Sequence, residues 1–468
     1  MIAKNVYAFT LSHIADPLAV FSSLYRFPYT QMIDGATAEN RNPRYTTIVF
    51  QPVEIIEDWN GKVTVTNRDQ QLSLKSNIVT LLEDRLRVWG HGKILRDPML
   101  PPFQGGAVGY FGFGVLTPQN KTSDVPHAAF GIYDQCVAFD HQDNNAWYIV
   151  VSETAEQAQT KYNHFKTLAA RQFLPVDGTL QPHLSWVPAT MPGAMKETVR
   201  QLSDYIHAGS FNRSYLCQFY ESRIPAGYET LAHYHDIRTH SSPATVRACL
   251  SLGGLHVIVA ESEPALSMID RQIEATHNSH RMLRPEGLLR DDVTGKNLAR
   301  NQDALTHHQK QAKALAIRLS ALCPASGILG PSTPTVIAAG QEYLLSSTTR
   351  GVLTNDATLT DLLSLVSPAE DYSGEPADRA LRVISSVEPF SRGPAFGHLA
   401  MIGFNGSLSL TLNKNVVVNN SHELRYATGL PVYGDTKPDI WYDELVKKAE
   451  AALRVIGDDS EVSTSLTA

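Results

Sequence analysis

Several function classes are excluded by what the chain has little of. Its 468 residues hold four cysteines, Cys136, Cys217, Cys249 and Cys323, far apart and with no C-x-x-C pair. That spacing argues against a zinc ribbon or a disulfide framework and favours reduced thiols, with the cytoplasm as the default compartment. Long apolar runs are missing: no window reaches the eighteen residues of a membrane span, and the N-terminal stretch MIAKNVYAFTLSHIADPL carries His13 and Asp16 where a signal peptide needs an unbroken apolar core. No membrane partner is expected. Charge of one sign never gathers either. Forty basic against forty-seven acidic residues give a formal charge of −7 spread along the chain, so nucleic acid is not an expected partner. There is no internal repeat, and LLSSTTR lacks the G-x-S-x-G of a nucleophile elbow.

What is present is an ordinary globular composition, 43% hydrophobic and 19% charged, able to bury a large core without staples. From Val6 to about Val187, short apolar runs alternate with turn signals, as in RYTTIVFQPVEII, WNGKVTVTN, CVAFD and NAWYIVVS, and predict a sheet-rich half. Within it PPFQGGAVGYFGFG, Pro101 to Gly114, has glycines among aromatics. With no lysine and no helix start after it, the string suits close backbone packing or bulged strands rather than a phosphate loop. The stretch QPHLSWVPATMP reads as a crossing. Beyond it, helices are predicted over AMKETVRQLSDYIHAG, DALTHHQKQAKALAIRLSALC, DRALRVISSVE and PDIWYDELVKKAEAALRVIG, interleaved with strand-like SYLCQFYESRI, HVIVAES, MIGFNGSLSLTL and KNVVVNN. The organisation read from this is a sheet-rich half over 1–186, a cleft-bearing half over 187–457, and a flexible tail over 458–468.

Six strings in order resemble the chorismate-utilising enzymes, in particular the large subunit of aminodeoxychorismate synthase and component I of anthranilate synthase. They are NPRYTTIVFQP, PPFQGGAVGYFGFG, MIDGA, IHAGSFNRSYLCQF, DYSGEPADRALRVISSVEPFSRG and WYDELVKKAEAAL. The resemblance implies an α+β chorismate-binding fold of two large antiparallel sheets packed face to face with helices outside. It also implies a small-molecule metabolite as ligand and a glutamine amidotransferase-like or biosynthetic partner protein. MIDGA, with Asp34, is similar to the segment that lines a tryptophan pocket in such enzymes.

The resemblance further implies a Mg²⁺ ion held by carboxylates against the substrate, and here this sequence departs from the pattern. The metal glutamate of A-E-H-x-M-x-x-D falls at Lys313 or its alanine neighbour, and the first glutamate of E-Y-x-E falls at Trp441, leaving Glu444. The aspartate and glutamine of A-G-D-I-Y-Q are Ser210 and Arg213; P-I-K-G-T reads THNSHR, with Ser279 and His280 near the glycine and threonine; the histidine of H-L-x-S falls at Leu344, the lysine of G-A-P-K at Ala377, and the arginine of I-R-T near Asn413. Packing positions such as Gly105, Gly106, Gly109, Pro376, Glu388, Pro389 and Gly393 match. The scaffold is therefore read as kept and the original site as replaced. No metal and no cofactor are expected. The function read from this is a metal-independent enzyme of specialised metabolism acting on a small carboxylate-bearing or aromatic metabolite; the alternative is a non-catalytic binding or regulatory protein, and the third reading is a conventional Mg²⁺-dependent aminodeoxychorismate synthase.

Candidates for the new site are residues at former ligand positions. His280 is a candidate general base with His277 as an orienting or second acid–base group, the other reading being two polar loop histidines. Glu444 is a candidate acid, or an ion-pair partner of Lys447 or Lys448. Arg213 offers a carboxylate clamp or is a strand arginine. Ser279, Ser373 and Glu263 are candidate substrate contacts. Cys323 is a candidate nucleophile, with a buried small residue as the other reading for it and for Cys217. The cluster HYHD, His233 to Asp236, has metal-compatible spacing but no distant partners, and reads as a surface helix or loop.

Overall fold

The computed structural model describes residues 4–11, 16–35, 44–116, 122–170, 182–240, 245–284, 288–324, 327–339 and 342–456; the tail read as flexible lies outside them. Among the described residues, 22 strands form one hydrogen-bonded set in which every pairing is antiparallel.

Alternation along the strands explains the layers. In the strand Arg213–Arg223, Tyr215, Cys217 and Phe219 point one way and Leu216 and Tyr220 the other. In the strand His398–Gly403, Leu399 and Met401 join the first set, whereas Ala400 and Ile402 face a third cluster. A period of two with both faces apolar requires cover on both sides. The folded-over sheet supplies it between its layers, and helices supply it outside. Helices Pro17–Leu24, Ala155–Ala169, Pro192–His207 and Pro438–Ile456 cover one outer face. Helices Ile78–Trp89, Gln302–Leu322 and Leu359–Val366 cover the other. The expected face-to-face sheets with helices outside are thus present, as two layers of one continuous network.

The two halves read from the sequence share strands. Gln31–Asp34 pairs with Val246–Ser251, and Gly106–Phe111 pairs with His398–Gly403. The glycine-rich string makes the second seam: a Cβ on Gly106 would stand 2.0 Å from the Ile402 carbonyl oxygen, and one on Gly109 2.0 Å from that of Ala129. These glycines serve backbone approach, as their setting among aromatics predicts.

The helices expected after Gln181 form over Pro192–His207, Gln302–Leu322, Ala377–Val387 and Pro438–Ile456. MIGFNGSLSLTL is two strands, His398–Gly403 and Leu408–Asn419, joined by a turn in which Gly406 has φ +83°. His233 is an interior residue of the helix Thr230–His240, buried against the Tyr228 hydroxyl at 2.7 Å and the Ile456 carbonyl. Burial therefore overrides its surface reading.

Candidate functional site

Two β-bulges build the site. In the first, Glu261 pairs with Asn415 and Ser262 with Asn413, so Lys414 is the extra residue on its strand. A bulge bends the strand and re-aims the side chain of that residue. Lys414 is turned into the interior, where its ammonium lies 3.0 Å from Glu261 Oε1, 2.9 Å from Glu263 Oε1 and 2.8 Å from Glu342 Oε2. The ammonium donates to Glu261 and stands at ion-pair distance from the other two carboxylates, and the residue is only 5% exposed.

The second bulge is in the strand Gln272–Leu283, where Ser279 pairs with Leu345 and Met282 with Tyr343, leaving two residues against one. His280 there takes φ +55°, a left-handed conformation that side chains with a Cβ rarely adopt. The displaced Arg281 forks onto Glu263, Nη1 to Oε1 at 2.6 Å and Nη2 to Oε2 at 2.9 Å. It also approaches Glu342 at 3.5 Å and Asp371 at 3.6 Å, and its guanidinium stacks over Tyr372 at 5.5 Å. Lys448, on the helix Pro438–Ile456, reaches Glu342 at 3.3 Å. Asn278 and Asn415 donate to Glu263 and Glu261 at 3.1 and 2.8 Å.

Lys414, Arg281 and Lys448 therefore answer Glu261, Glu263, Glu342 and Asp371 from within the chain. Although burial opposes ionisation, Arg281 and Lys414 pull Glu263 down to about 2, and Lys414, Lys448 and Arg281 pull Glu342 well below the carboxylate range. Burial wins at Glu261, which is pushed up and is the glutamate of the three that takes a proton first.

Beside this network lies a group of imidazoles. His280 Nε2 and His307 Nδ1 are 3.1 Å apart, and His307 Nε2 is 4.0 Å from Glu375 Oε2. Ser279 Oγ and His308 Nδ1 are 2.7 Å apart, His308 Nε2 and Ser347 Oγ 3.0 Å, and the rings of His277 and His308 lie 4.8 Å apart. Burial and the neighbouring imidazoles hold His308 down to about 3, and burial followed by the His307 charge lowers His280. Arg213, half-buried at the start of its strand, adds positive potential at His280; its Nη1 donates to the Asp371 carbonyl at 3.4 Å.

A cavity of about 70 Å³ is lined by His277, Asn278, Arg281, Arg318, Asp371 and His398, among others. His398 is buried, burial pushes it down to about 4, and neither ring nitrogen has a partner among the described residues. A second cavity, by Lys414, Glu342, Lys448 and Tyr372, measures about 20 Å³, room for about one water.

The candidates read from the sequence are thus partly gathered. Glu263, His277, Ser279 and His280 belong to the two clusters, and Arg213 adjoins the imidazoles. Ser373 is fully buried at the end of the short helix Glu370–Ser373. Glu444 is exposed on the last helix, whose residue facing the carboxylates is Lys448, one turn on. Cys323 caps the helix Gln302–Leu322 inside an apolar cluster, where burial pushes its thiol up. Burial of this kind disfavours the thiolate. Cys217 is likewise buried, with its thiol well above the ordinary range.

Reading the sequence missed Lys414, Glu261, Glu342, Arg281, His307, His308 and His398. Two signals were available: glutamates at i and i+2 inside the apolar run HVIVAESEP, and a lysine between asparagines inside a strand.

A Mg²⁺ ion can be tested against these donors. Magnesium needs oxygen ligands at about 2.0–2.1 Å in near-octahedral array. The converging carboxylates already enclose an ammonium, with a guanidinium alongside. A divalent ion added there meets two fixed positive charges, and among the described residues no group of three or more His, Cys, Asp or Glu is disposed to hold a metal. The donors gathered around Lys414 do not fit Mg²⁺.

Fold and cluster together define an antiparallel α+β protein with a polar interior site between sheet and helices. Residues 34–454 match the family model described as chorismate binding enzyme, and the chain belongs to that family. It is 21% identical to anthranilate synthase component 1 of Acetivibrio thermocellus over 98% of this chain and 97% of that protein. Anthranilate synthase component I from Streptococcus pneumoniae superimposes with a TM-score of 0.75 at 19% identity, covering 89% of this chain and 94% of that one. The menaquinone-specific isochorismate synthase of Escherichia coli gives 0.74 at 14% identity, with 97% and 95% covered.

Proposed function

We propose that the chain is a metal-independent enzyme of specialised metabolism that uses the chorismate-binding scaffold to move a proton on a small carboxylate-bearing or aromatic metabolite. The observation that carries this reading is the imidazole pair His280–His307, 3.1 Å apart, one of them on a strained bulge and held below the usual histidine range. A histidine so lowered is unprotonated near neutral pH and accepts a proton, which its neighbour can share. Strain retained at a polar residue is a mark of functional sites. Arg213 supplies the positive charge for a substrate carboxylate, and His277 and Ser279 tie the pair to the buried His308.

A second reading has its own support. The cations of the carboxylate network are all matched internally and the cavity beside Lys414 is small, which favours a protein that binds or regulates without turnover. Either way a glutamine amidotransferase-like or biosynthetic partner protein belongs to the proposal, because the relatives are named as component 1 of an enzyme.

The test is turnover of chorismate-derived aromatic carboxylates in EDTA. Wild type is expected to convert one of them, with His280→Ala slower by about 10²–10⁴-fold and Arg213→Ala raised mainly in KM. Saturable turnover of chorismate that requires Mg²⁺ would overturn metal independence. Identical product levels in wild type and both folded variants would favour the non-catalytic reading.

A further inference from the structure

We infer that the cavity at His398 is a binding site for an uncharged, hydroxyl-bearing ring about the size of phenol, whose hydroxyl pairs with that imidazole and whose ring lies on the apolar wall. The inference goes beyond the reading above, since it holds for a catalyst and for a binding protein alike. His398 stands at none of the positions that the family strings mark for metal or substrate. Alternation carries its side chain into the cavity: along His398–Gly403, Ala400 and Ile402 face the third core cluster, and a period of two puts His398 on the same side. The helices Gln302–Leu322 and Leu359–Val366 roof that side, and they give Leu315, Arg318, Leu365 and Val366 to the cavity lining.

Three polar groups in the lining lack hydrogen-bond partners among the described residues. His398 is 1% exposed, and both of its ring nitrogens are unanswered. Asn278 Oδ1 accepts nothing while its amide nitrogen donates to Glu263, and Arg281 Nε, 3.6 Å from Asp371 Oδ2, donates to nothing. A buried polar group left unpaired costs stability, which a ligand that pairs with it returns. Burial holds His398 neutral, with one N–H donor and one bare nitrogen. A hydroxyl donates and accepts, so it answers either nitrogen, whereas a carboxylate only accepts. Charge points the same way. The charged side chains of the lining are Glu263 and Asp371 against Arg281 and Arg318, two of each sign, so an ionic ligand meets no surplus of the opposite charge. Water alone suits the space poorly. A volume of about 70 Å³ has room for roughly five waters, each needing two to four polar partners, and Pro264, Leu315, Leu365, Val366 and Leu412 offer none. A ring with one hydroxyl serves both walls.

The experiment titrates phenol, benzene and benzoate into wild type and His398→Leu, read by ligand-detected NMR and by the unfolding midpoint. Phenol should bind wild type saturably and raise the midpoint. Benzene and benzoate should each bind more weakly, by roughly three- to tenfold, the effect of one net hydrogen bond. His398→Leu exchanges the unpaired imidazole for an apolar side chain, and in it phenol and benzene should bind alike. Should that variant fail to fold, the preference of wild type for phenol over benzene decides by itself. Equal binding of phenol and benzene by wild type overturns the inference, and so does a phenol preference that survives in His398→Leu. Tighter binding of benzoate than of phenol overturns the uncharged ligand. No saturable binding of any probe assigns the cavity to water only and overturns the site. None of these outcomes bears on turnover in His280→Ala, so the two readings fail separately.

Discussion

Two clusters hang on the strand Gln272–Leu283, and they solve opposite problems. Around Arg281 and Lys414, full charges are buried and matched one against another at 2.6–3.0 Å. Around His277, His280, His307 and His308, the polar groups meet mainly other neutral groups, and burial or neighbouring imidazoles keep His280 and His308 from taking a proton. Matched charges fix geometry and resist change. Imidazoles held neutral near physiological pH keep a lone pair free to act as a base towards a bound substrate. A single bulge separates the two roles, turning Arg281 towards the carboxylates and leaving His280 with its histidine neighbour.

The sharpest way to break the comparison is to unmatch the charged side. Glu263→Ala strips the bidentate partner from Arg281 and one of three carboxylates from Lys414, and loss of one partner of a buried pair costs roughly 3–5 kcal/mol. Urea unfolding monitored by circular dichroism should show that loss. His307→Ala, on the imidazole side and 42% exposed in its side chain, should cost far less. Equal losses would erase the distinction between the clusters.

Acid should separate them next. Glu263 is lowered in the folded state to about 2, so its contribution is present above the unfolded value near 4.5 and is lost as pH falls through that window. His308 and His398 are lowered from 6.5 to about 3 and 4, so the unfolded chain binds their protons first and stability falls as pH drops below 6.5. The expected profile of unfolding midpoint against pH therefore has two limbs, an upper one from histidines and a lower one from carboxylates. His308→Gln together with His398→Asn should make the upper limb shallower and leave the lower one unchanged, the rest of the upper limb coming from His233, also lowered to about 4, and the other lowered histidines. A profile unchanged between pH 6.5 and 4.5 in that variant would refute the assignment.

The two clusters also differ in how far they were legible beforehand. Family and fold were readable because their determinants are local strings whose constraint is backbone packing. Gly106 and Gly109 admit no Cβ at the strand seam, and Glu388 with Arg392 forms a buried pair that holds the Cys217 amide and the Tyr215 and Tyr372 carbonyls. His277, Ser279, His280 and Glu263 were legible because they stand at positions the family strings mark. The cluster of Lys414 with Glu261, Glu263 and Glu342 was not, since its four members come from three strands and its centre is a bulge residue. Reading by motif placed the I-R-T arginine near Asn413, one residue short of Lys414, and nothing in a string announces a register shift.

The smallest expected effect on stability is the most telling about function. His280 holds φ +55°, which costs a residue with a Cβ roughly 1–2 kcal/mol, while glycine adopts it freely at an entropic cost of about 0.5–1 kcal/mol. His280→Gly should therefore unfold within about 1 kcal/mol of wild type, despite removing an imidazole from the cluster. His280→Ala keeps the Cβ and should be the less stable of the two. If the histidine were there for packing, glycine would destabilise and alanine would be the milder change. If it is there to take a proton, both variants lose turnover alike, glycine does so in a protein as stable as wild type, and added imidazole restores part of the rate to His280→Gly by filling the vacated place beside His307.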